Sequence, residues 1–320
     1  MTAATAVARG RGDGGGRGGS RRRFAPVSER HERSGIPPLS PRLQLVRAML
    51  IMALVLSVSL LLHLGLVSGL QQRSAQTRMY NEFRSELAQG TAPIGPADAD
   101  GVELADGTPV AYMEIRAIGL ETIVAEGTSA EVLFDGPGHR RDTQLPGQVG
   151  STVLFGRAST YGGPFDDLGD LRVDDRIVVT TGQGTFEYAV IGVRRAGDPL
   201  PPAAPAGGSR LMLVTADGSP FLSSGVLRVD ADLVGQAVVG DARAISAAAL
   251  GEHERAMGNQ TDTVWALALW MQALTVLSVL AIWAWTRWGR AQAWIVFTPP
   301  LTLVGISASA EIAKLLPNLT

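Results

Sequence analysis

Arg176-Ile177-Val178-Val179-Thr180-Thr181-Gly182-Gln183-Gly184-Thr185-Phe186-Glu187-Tyr188-Ala189-Val190 is the stretch on which the fold turns. Two runs rich in β-branched and aromatic residues, Arg176 to Thr181 and Thr185 to Val193, flank Gly182-Gln183-Gly184, and this pattern predicts a β-hairpin. Working outward, short runs of the same kind recur. Ala111-Tyr112-Met113-Glu114-Ile115 alternates like a strand, and Thr122-Ile123-Val124-Ala125 follows a turn at Gly119. Ser151 to Phe155, Leu211 to Thr215 and Val226 to Leu233 complete the set. Seven or eight short strands separated by turns predict a closed or nearly closed β-barrel.

The barrel is flanked by sequence of another character. Residues 1–47 hold ten arginines against Asp13, Glu29 and Glu32, in a chain of net charge −2. This Gly/Arg-rich tail offers little apolar surface to order it. Phe24 is the only aromatic ring among the arginines, too little for base stacking, so the tail reads as a cytoplasmic anchor and not as a nucleic-acid arm. An almost uninterrupted apolar run follows at 48–70, with His63 inside it, long enough to span a bilayer. Residues 71–108 form a connector, helical over Gln71 to Gln89, and 236–262 form a linker. Two more apolar spans are predicted at 263–286 and 291–313, the last one broken at Pro299-Pro300. Arg287 and Arg290 lie in the short connection between them. Arginine-bearing short loops stay in the cytoplasm. The predicted topology is a multi-pass cell-membrane protein with a cytoplasmic N-terminus and residues 71–262 outside the cell.

Composition removes whole classes of chemistry. The chain has no cysteine, which excludes disulfides, zinc–thiolate sites and every cysteine nucleophile. Lys314 is the only lysine, so no lysine Schiff base arises in the barrel. Asp166, Asp167, Asp170, Asp174 and Asp175 form an acidic cluster whose oxygens suit calcium. Its spacing matches no known loop motif, and these residues read as solvated turns. Nothing calls for a metal or a cofactor.

The order of motifs resembles the sortases, the surface transpeptidases of Gram-positive bacteria. The resemblance runs from about Pro109 to Val234. It is carried by Ile115-Arg116-Ala117-Ile118-Gly119-Leu120, Gly136-Pro137-Gly138-His139, Leu145-Pro146-Gly147-Gln148, Thr160-Tyr161-Gly162, Pro164-Phe165, Asp175-Arg176-Ile177 and Phe186-x-Tyr188-x-Val190. The resemblance implies a catalytic His, Cys and Arg. The His position, after Gly156, holds Arg157, and the Cys position, after Thr215, holds Ala216. The Arg position falls at Val226 within about two residues, with Arg228 nearby, because Asp217 to Gly225 departs in length from the family pattern.

These losses redirect the function. A sortase thiolate attacks an amide carbonyl and leaves from a thioester, whereas Ala216 offers a methyl group. A relocated nucleophile needs a hydroxyl with a base in reach. Thr215, Ser219, Ser223 and Ser224 supply hydroxyls and His139 the only nearby imidazole, while Arg157 stays protonated at neutral pH. The expectation is a mostly β protein, a sortase-like barrel outside the membrane plus three transmembrane helices. It is expected to act without catalysis as a binding or scaffolding subunit beside other membrane or surface proteins. Its groove is expected to hold an extended peptide near Arg157, His139, Tyr161 and Arg228, with Arg157 at the rim. A serine-based transpeptidase or peptidase and a purely structural subunit are the alternatives.

Overall fold

The computed structural model describes residues 67–98, 101–219, 222–240, 245–259 and 263–320, with isolated positions between 43 and 65. Eight strands close into a barrel in the order β1-β2-β3-β4-β7-β8-β6-β5. They are β1 (Pro109–Ile115), β2 (Leu120–Glu126), β3 (Gly138–His139), β4 (Gly150–Phe155), β5 (Arg176–Thr181), β6 (Gly184–Arg194), β7 (Ser209–Ser219) and β8 (Leu222–Leu233). The hairpin from which the fold was read is β5–β6, with Thr181 opposite Gly184 and Ile177 opposite Tyr188. Ile177, Val179, Phe186, Tyr188 and Val190 point into the barrel, where they meet Met113, Ile115, Leu211, Leu213, Val229 and Ala231. Inward residues alternate with outward ones along each strand, as the pleat requires. Tyr188, buried in this core, keeps its hydroxyl partnered by Ser209 at 2.9 Å and by the Gly147 amide at 2.6 Å.

Three local features depart from the sequence reading. Asp217 to Gly225 extends the β7–β8 hairpin, with Gly218 opposite Ser223 and Ser219 opposite Leu222. A short helix, α2 (Ala130–Asp135), precedes the Gly136-Pro137-Gly138 stretch; Ser129 caps it by accepting the Val132 amide at 3.4 Å. The prolines at 299 and 300 do not break the last apolar segment, which runs as one helix through both.

The helix α1 (Ser68–Gln89) lies against the barrel wall. Ala75, Met79 and Phe83 pack on Ile123, Ala125 and Val132. Gln76 clamps it. Its Nε2 donates to the Ile123 carbonyl at 3.2 Å and the Asp135 carbonyl at 2.9 Å, and its Oε1 accepts the Ile123 amide at 2.7 Å and the Thr122 hydroxyl at 3.0 Å.

Two C-terminal helices, α3 (Val264–Arg287) and α4 (Arg290–Leu315), are packed as a hairpin turning at Trp288-Gly289. Both are long and apolar enough to cross a membrane, with mean hydropathy 1.9 over Val264–Trp285 and 1.4 over Ala291–Leu315. Trp265, Leu269, Ile282, Trp294 and Ile295 stand exposed on their outer faces. The first predicted span, 48–70, lies mostly outside the described residues, as does the N-terminal tail.

Candidate peptide groove

Strands β4 and β7 run parallel, with Phe155 opposite Val214. Arg157 and Ala216 each stand two residues beyond this pair, so the register sets them at the same end of the two strands. Across the next ladder Ala216 pairs with Val226. The three positions inferred from the sortase resemblance therefore converge on one edge of the barrel. Leu211 and Leu213 face inward, so Met212, Val214 and Ala216 face outward with Val153, Phe155 and Val226. This gives an apolar outer wall. Leu133 of α2, Ala256, Met257 and Leu319 cover it.

Arg157 sits at the end of this wall and is not at the rim: its relative exposure is 0%. The backbone holds it there. Phe165 donates its amide to the Arg157 carbonyl at 3.0 Å, and Gly156 donates to the Val214 carbonyl at 3.0 Å. The Phe165 ring occupies the space where a side chain on Gly156 would go, 2.4 Å from an ideal Cβ. The guanidinium lies 4.6 Å from the Phe134 ring centre and 5.4 Å from that of Tyr161. These two rings are stacked at 3.9 Å. Among the described residues no carboxylate side chain pairs with Arg157, and its Nε and Nη2 have no partner. Burial lowers its pKa to about 10, so the group remains a cation at neutral pH. Tyr161, also buried, is raised to about 12 by that burial, against the pull of Arg157.

Arg157 has two partners, both at Nη1: it donates to Thr160 Oγ1 at 3.0 Å and to the end of the described chain. Its Nη1 donates to the Thr320 main-chain oxygen at 3.0 Å, and Thr160 Oγ1 donates to the same oxygen at 2.6 Å. The Ala158 amide donates to the Leu319 carbonyl at 2.9 Å. Leu319 is fully buried against Leu133, Val153, Phe155 and Val214. Asn318 Nδ2 donates to the carbonyls of Thr128, His253 and Arg255 at 3.2, 3.3 and 2.9 Å. Residues 317–320 thus sit against the wall as a closed turn, in which the Thr320 amide donates to the Pro317 carbonyl at 3.1 Å and the Asn318 amide donates to the Gly258 carbonyl at 2.9 Å. Their placement follows from α4. Pro317 lacks an amide proton and forces Leu316 out of helical geometry, to ψ 155, so the chain leaves the helix and turns onto the barrel. Lys314 fixes the helix end by a 2.7 Å bond to Glu131 of α2. The sequence reading missed this segment, Phe134 and the 250–258 cover. Residues 316–320 carry no periodic pattern, and Pro317 directly after an apolar span was the one signal of a change in direction.

The other predicted site residues fall differently. Tyr161 lines the groove end through Phe134 and Arg157. Its φ of +51° places a bulky side chain in the left-handed region, a strained conformation held by the surrounding packing. His139 does not join the groove residues. Its Nδ1 is 2.8 Å from Glu126 Oε2, and its Nε2 is 3.0 Å from the Gln144 carbonyl and 3.1 Å from Thr143 Oγ1. Both ring nitrogens are thereby taken up, Nδ1 by Glu126 at the end of β2 and Nε2 by residues 143 and 144. Burial opposes its protonation, but Glu126 beside it outweighs this and raises its pKa above the ordinary value. No nitrogen of His139 is open to draw a proton from a serine. Thr215 Oγ1 is buried without a partner and has no base beside it. Arg228 lies opposite Val214 and Arg194 in the sheet, half-buried. Ser219, Ser223 and Ser224 lie on the β7–β8 hairpin, where their side chains are outside the description. Asp166, Asp167 and Asp170 fall on one short turn, while Asp175 accepts the Arg172 amide at 2.7 Å. Among the described residues no group of three or more carboxylate or imidazole side chains is arranged to hold a metal ion.

Residues 113–222 match the sortase domain family. This sortase-like domain occupies about a third of the chain. Sortase D of Bacillus subtilis (strain 168) is 33% identical over 79 residues, 25% of this chain and 38% of that protein. The match thus spans well under half the length of that curated relative. Among solved structures, a Sortase D5 transpeptidase of Clostridium perfringens is 22% identical, with 51% of this chain and 99% of that one covered and a TM-score of 0.41. Sortase E of Streptomyces avermitilis is 32% identical, with 48% and 100% covered and a TM-score of 0.36. The sortase-like domain here contains no cysteine. The thiolate chemistry of a cysteine transpeptidase is therefore absent from it.

Proposed function

We propose that this chain is a membrane-anchored, non-catalytic sortase-like protein that acts as a binding or scaffolding subunit at the cell surface. One observation carries the reading: the edge of the barrel where the resemblance places a base and a nucleophile holds a fully buried arginine and an alanine. An arginine protonated up to about pH 10 takes no proton from a nucleophile at neutral pH. A methyl group forms no acyl intermediate. What remains is a wall of apolar side chains with hydrogen-bond donors at its end, which suits holding an extended chain. The helical hairpin supports an anchoring role, with Arg287 at its turn on the cytoplasmic side and the barrel outside. Helices α3 and α4 go beyond a simple anchor and favour assembly with other membrane proteins.

The test is turnover. The full chain in detergent micelles is incubated with an internally quenched sorting-type peptide and an amine acceptor. Neither cleavage nor transfer above the protein-free rate is expected. Ala216→Cys alone stays silent too, because Arg157 gives the new thiol no base. Turnover abolished by Ser219→Ala or His139→Ala would establish an enzyme and end this reading.

A further inference from the structure

A cleft of about 550 Å³ opens where α1, α2 and α4 meet Tyr161. Its lining is graded. Val67 and Leu70, at the end of the apolar run 48–70, and Ala310 of α4 form its apolar end. Gln71, Ser74 and Arg78 continue the same stripe of α1, at spacings of three and four residues that share one helix face. A helix rises about 1.5 Å per residue, so the stripe changes from Val67 to Arg78 over roughly 16 Å. On the facing side Lys314 stands one turn beyond Ala310. Both helices thus pass from apolar to charged toward α2, as membrane segments do where they leave the bilayer for the headgroup layer.

The charged end carries two cations, Arg78 and Lys314, and two carboxylates, Glu131 and Asp135. One pair is satisfied: Lys314 Nζ donates to Glu131 Oε1 at 2.7 Å. The other is not. Asp135 and Arg78 form no ion pair, and neither side chain has a hydrogen-bond partner among the described residues. Asp135 is half-buried, and burial raises its carboxyl pKa above the ordinary value, with Arg78 pulling against this. A carboxylate withdrawn from water without a donor calls for one. We propose that the cleft binds the headgroup of one zwitterionic phospholipid bearing a primary ammonium, with its phosphate at Arg78 and its ammonium at Asp135. The charge balance selects this chemistry. An anionic lipid satisfies Arg78 but leaves Asp135 without a donor. A trimethylated ammonium has no N–H to give Asp135, whereas a primary ammonium has three. The acyl end of the lipid lies along Val67, Leu70 and Ala310. Phe134 and Tyr161, stacked on each other, also line the cleft, while Arg157 packs on those rings and does not line it. The inference rests on the membrane-anchored reading above and adds a lipid site to it.

The experiment is native mass spectrometry of the full chain released from detergent micelles. The micelles hold equal amounts of dioleoyl phosphatidylethanolamine, phosphatidylcholine and phosphatidylglycerol. One phosphatidylethanolamine is expected to stay bound, at least about tenfold more tightly than either competitor, the low end of one charge-assisted hydrogen bond. Arg78→Gln and Asp135→Asn each weaken its binding by at least about the same tenfold factor. In Asp135→Asn the preference over phosphatidylglycerol disappears, because the site no longer needs a donor. Arg73→Gln, on α1 but outside the cleft, leaves binding unchanged. Equal binding of the three lipids by the unmodified chain would overturn the proposal, whatever the variants do. So would a preference for phosphatidylglycerol, which marks a plain basic patch, or undiminished binding in both Arg78→Gln and Asp135→Asn. Soluble glycerophosphoethanolamine is the second probe and is expected not to bind; binding as tight as the lipid's would place the ligand's source outside the membrane and overturn the site as a lipid site. A chain that stays soluble without detergent would end this proposal and the membrane reading together. Lost selectivity in a detergent-dependent chain overturns the lipid site alone.

Discussion

Arg157 stands fully buried at the position where the sortase resemblance implies a base. A buried guanidinium without a carboxylate partner is costly. Here the stacked Phe134–Tyr161 pair and the Thr320 oxygen offset part of that cost. Arg157→Met keeps the apolar stem and removes the charge. It is expected to leave barrel stability nearly unchanged, yet to raise amide exchange in 316–320 by at least about tenfold, since a hydrogen bond to a charged group contributes about 1.5–3 kcal/mol. Hydrogen exchange with mass spectrometry reads both effects in one sample. His139 makes a separate, purely structural contribution. Its pKa is raised in the folded state by Glu126, so the stability it adds is fully present below the unfolded value of about 6.5. That stability is lost as pH rises through the folded value. The advantage of the unmodified chain over His139→Gln, measured by thermal unfolding, should therefore be largest near pH 5.5 and shrink toward alkaline pH. A constant difference across this range would mean that the Glu126–His139 pair is not ionic.

Elements that declare themselves by local pattern were legible in the sequence, and those set by long-range contact were not. The β5–β6 hairpin was readable because β-branched runs flank a Gly-x-Gly turn, and its strands fall within a residue of expectation. The β7–β8 hairpin was read as shorter than it is, because Asp217, Gly218, Ser223 and Ser224 mimic loop composition while the ladder continues through them. The last helix was expected to break at Pro299-Pro300. It does not, and Thr302 Oγ1 donates to the Thr298 carbonyl at 2.8 Å just beyond the prolines. The positions of Arg157 and Ala216 were identified by motif order, yet the burial of Arg157 was not foreseen. It is produced by Phe134 and by residues 318–320, more than 150 positions away in the chain. Gly156 gives this scale its own prediction. Gly156→Ala drives a methyl into the Phe165 ring and should cost about 1–3 kcal/mol by denaturant unfolding. An unchanged midpoint would show that the ring has room to move.

At the scale of the whole molecule, the barrel and the helical hairpin are joined around one point, where Ala313 packs on Tyr161. Lys314 pairs with Glu131, and the five residues after Leu315 run into the groove. The apolar wall that ends at Arg157 and Ala216 thereby serves as a fastening point for the chain's own C-terminal helices. The decisive measurement is hydrogen exchange on the full chain in lipid nanodiscs, compared with Leu319→Asp. The account predicts that peptides covering 154–160 and 316–320 are protected together in the unmodified chain and lose protection together in the variant, while the β5–β6 hairpin stays protected in both. Rapid exchange of 316–320 in the unmodified chain, with 154–160 still protected, would contradict it.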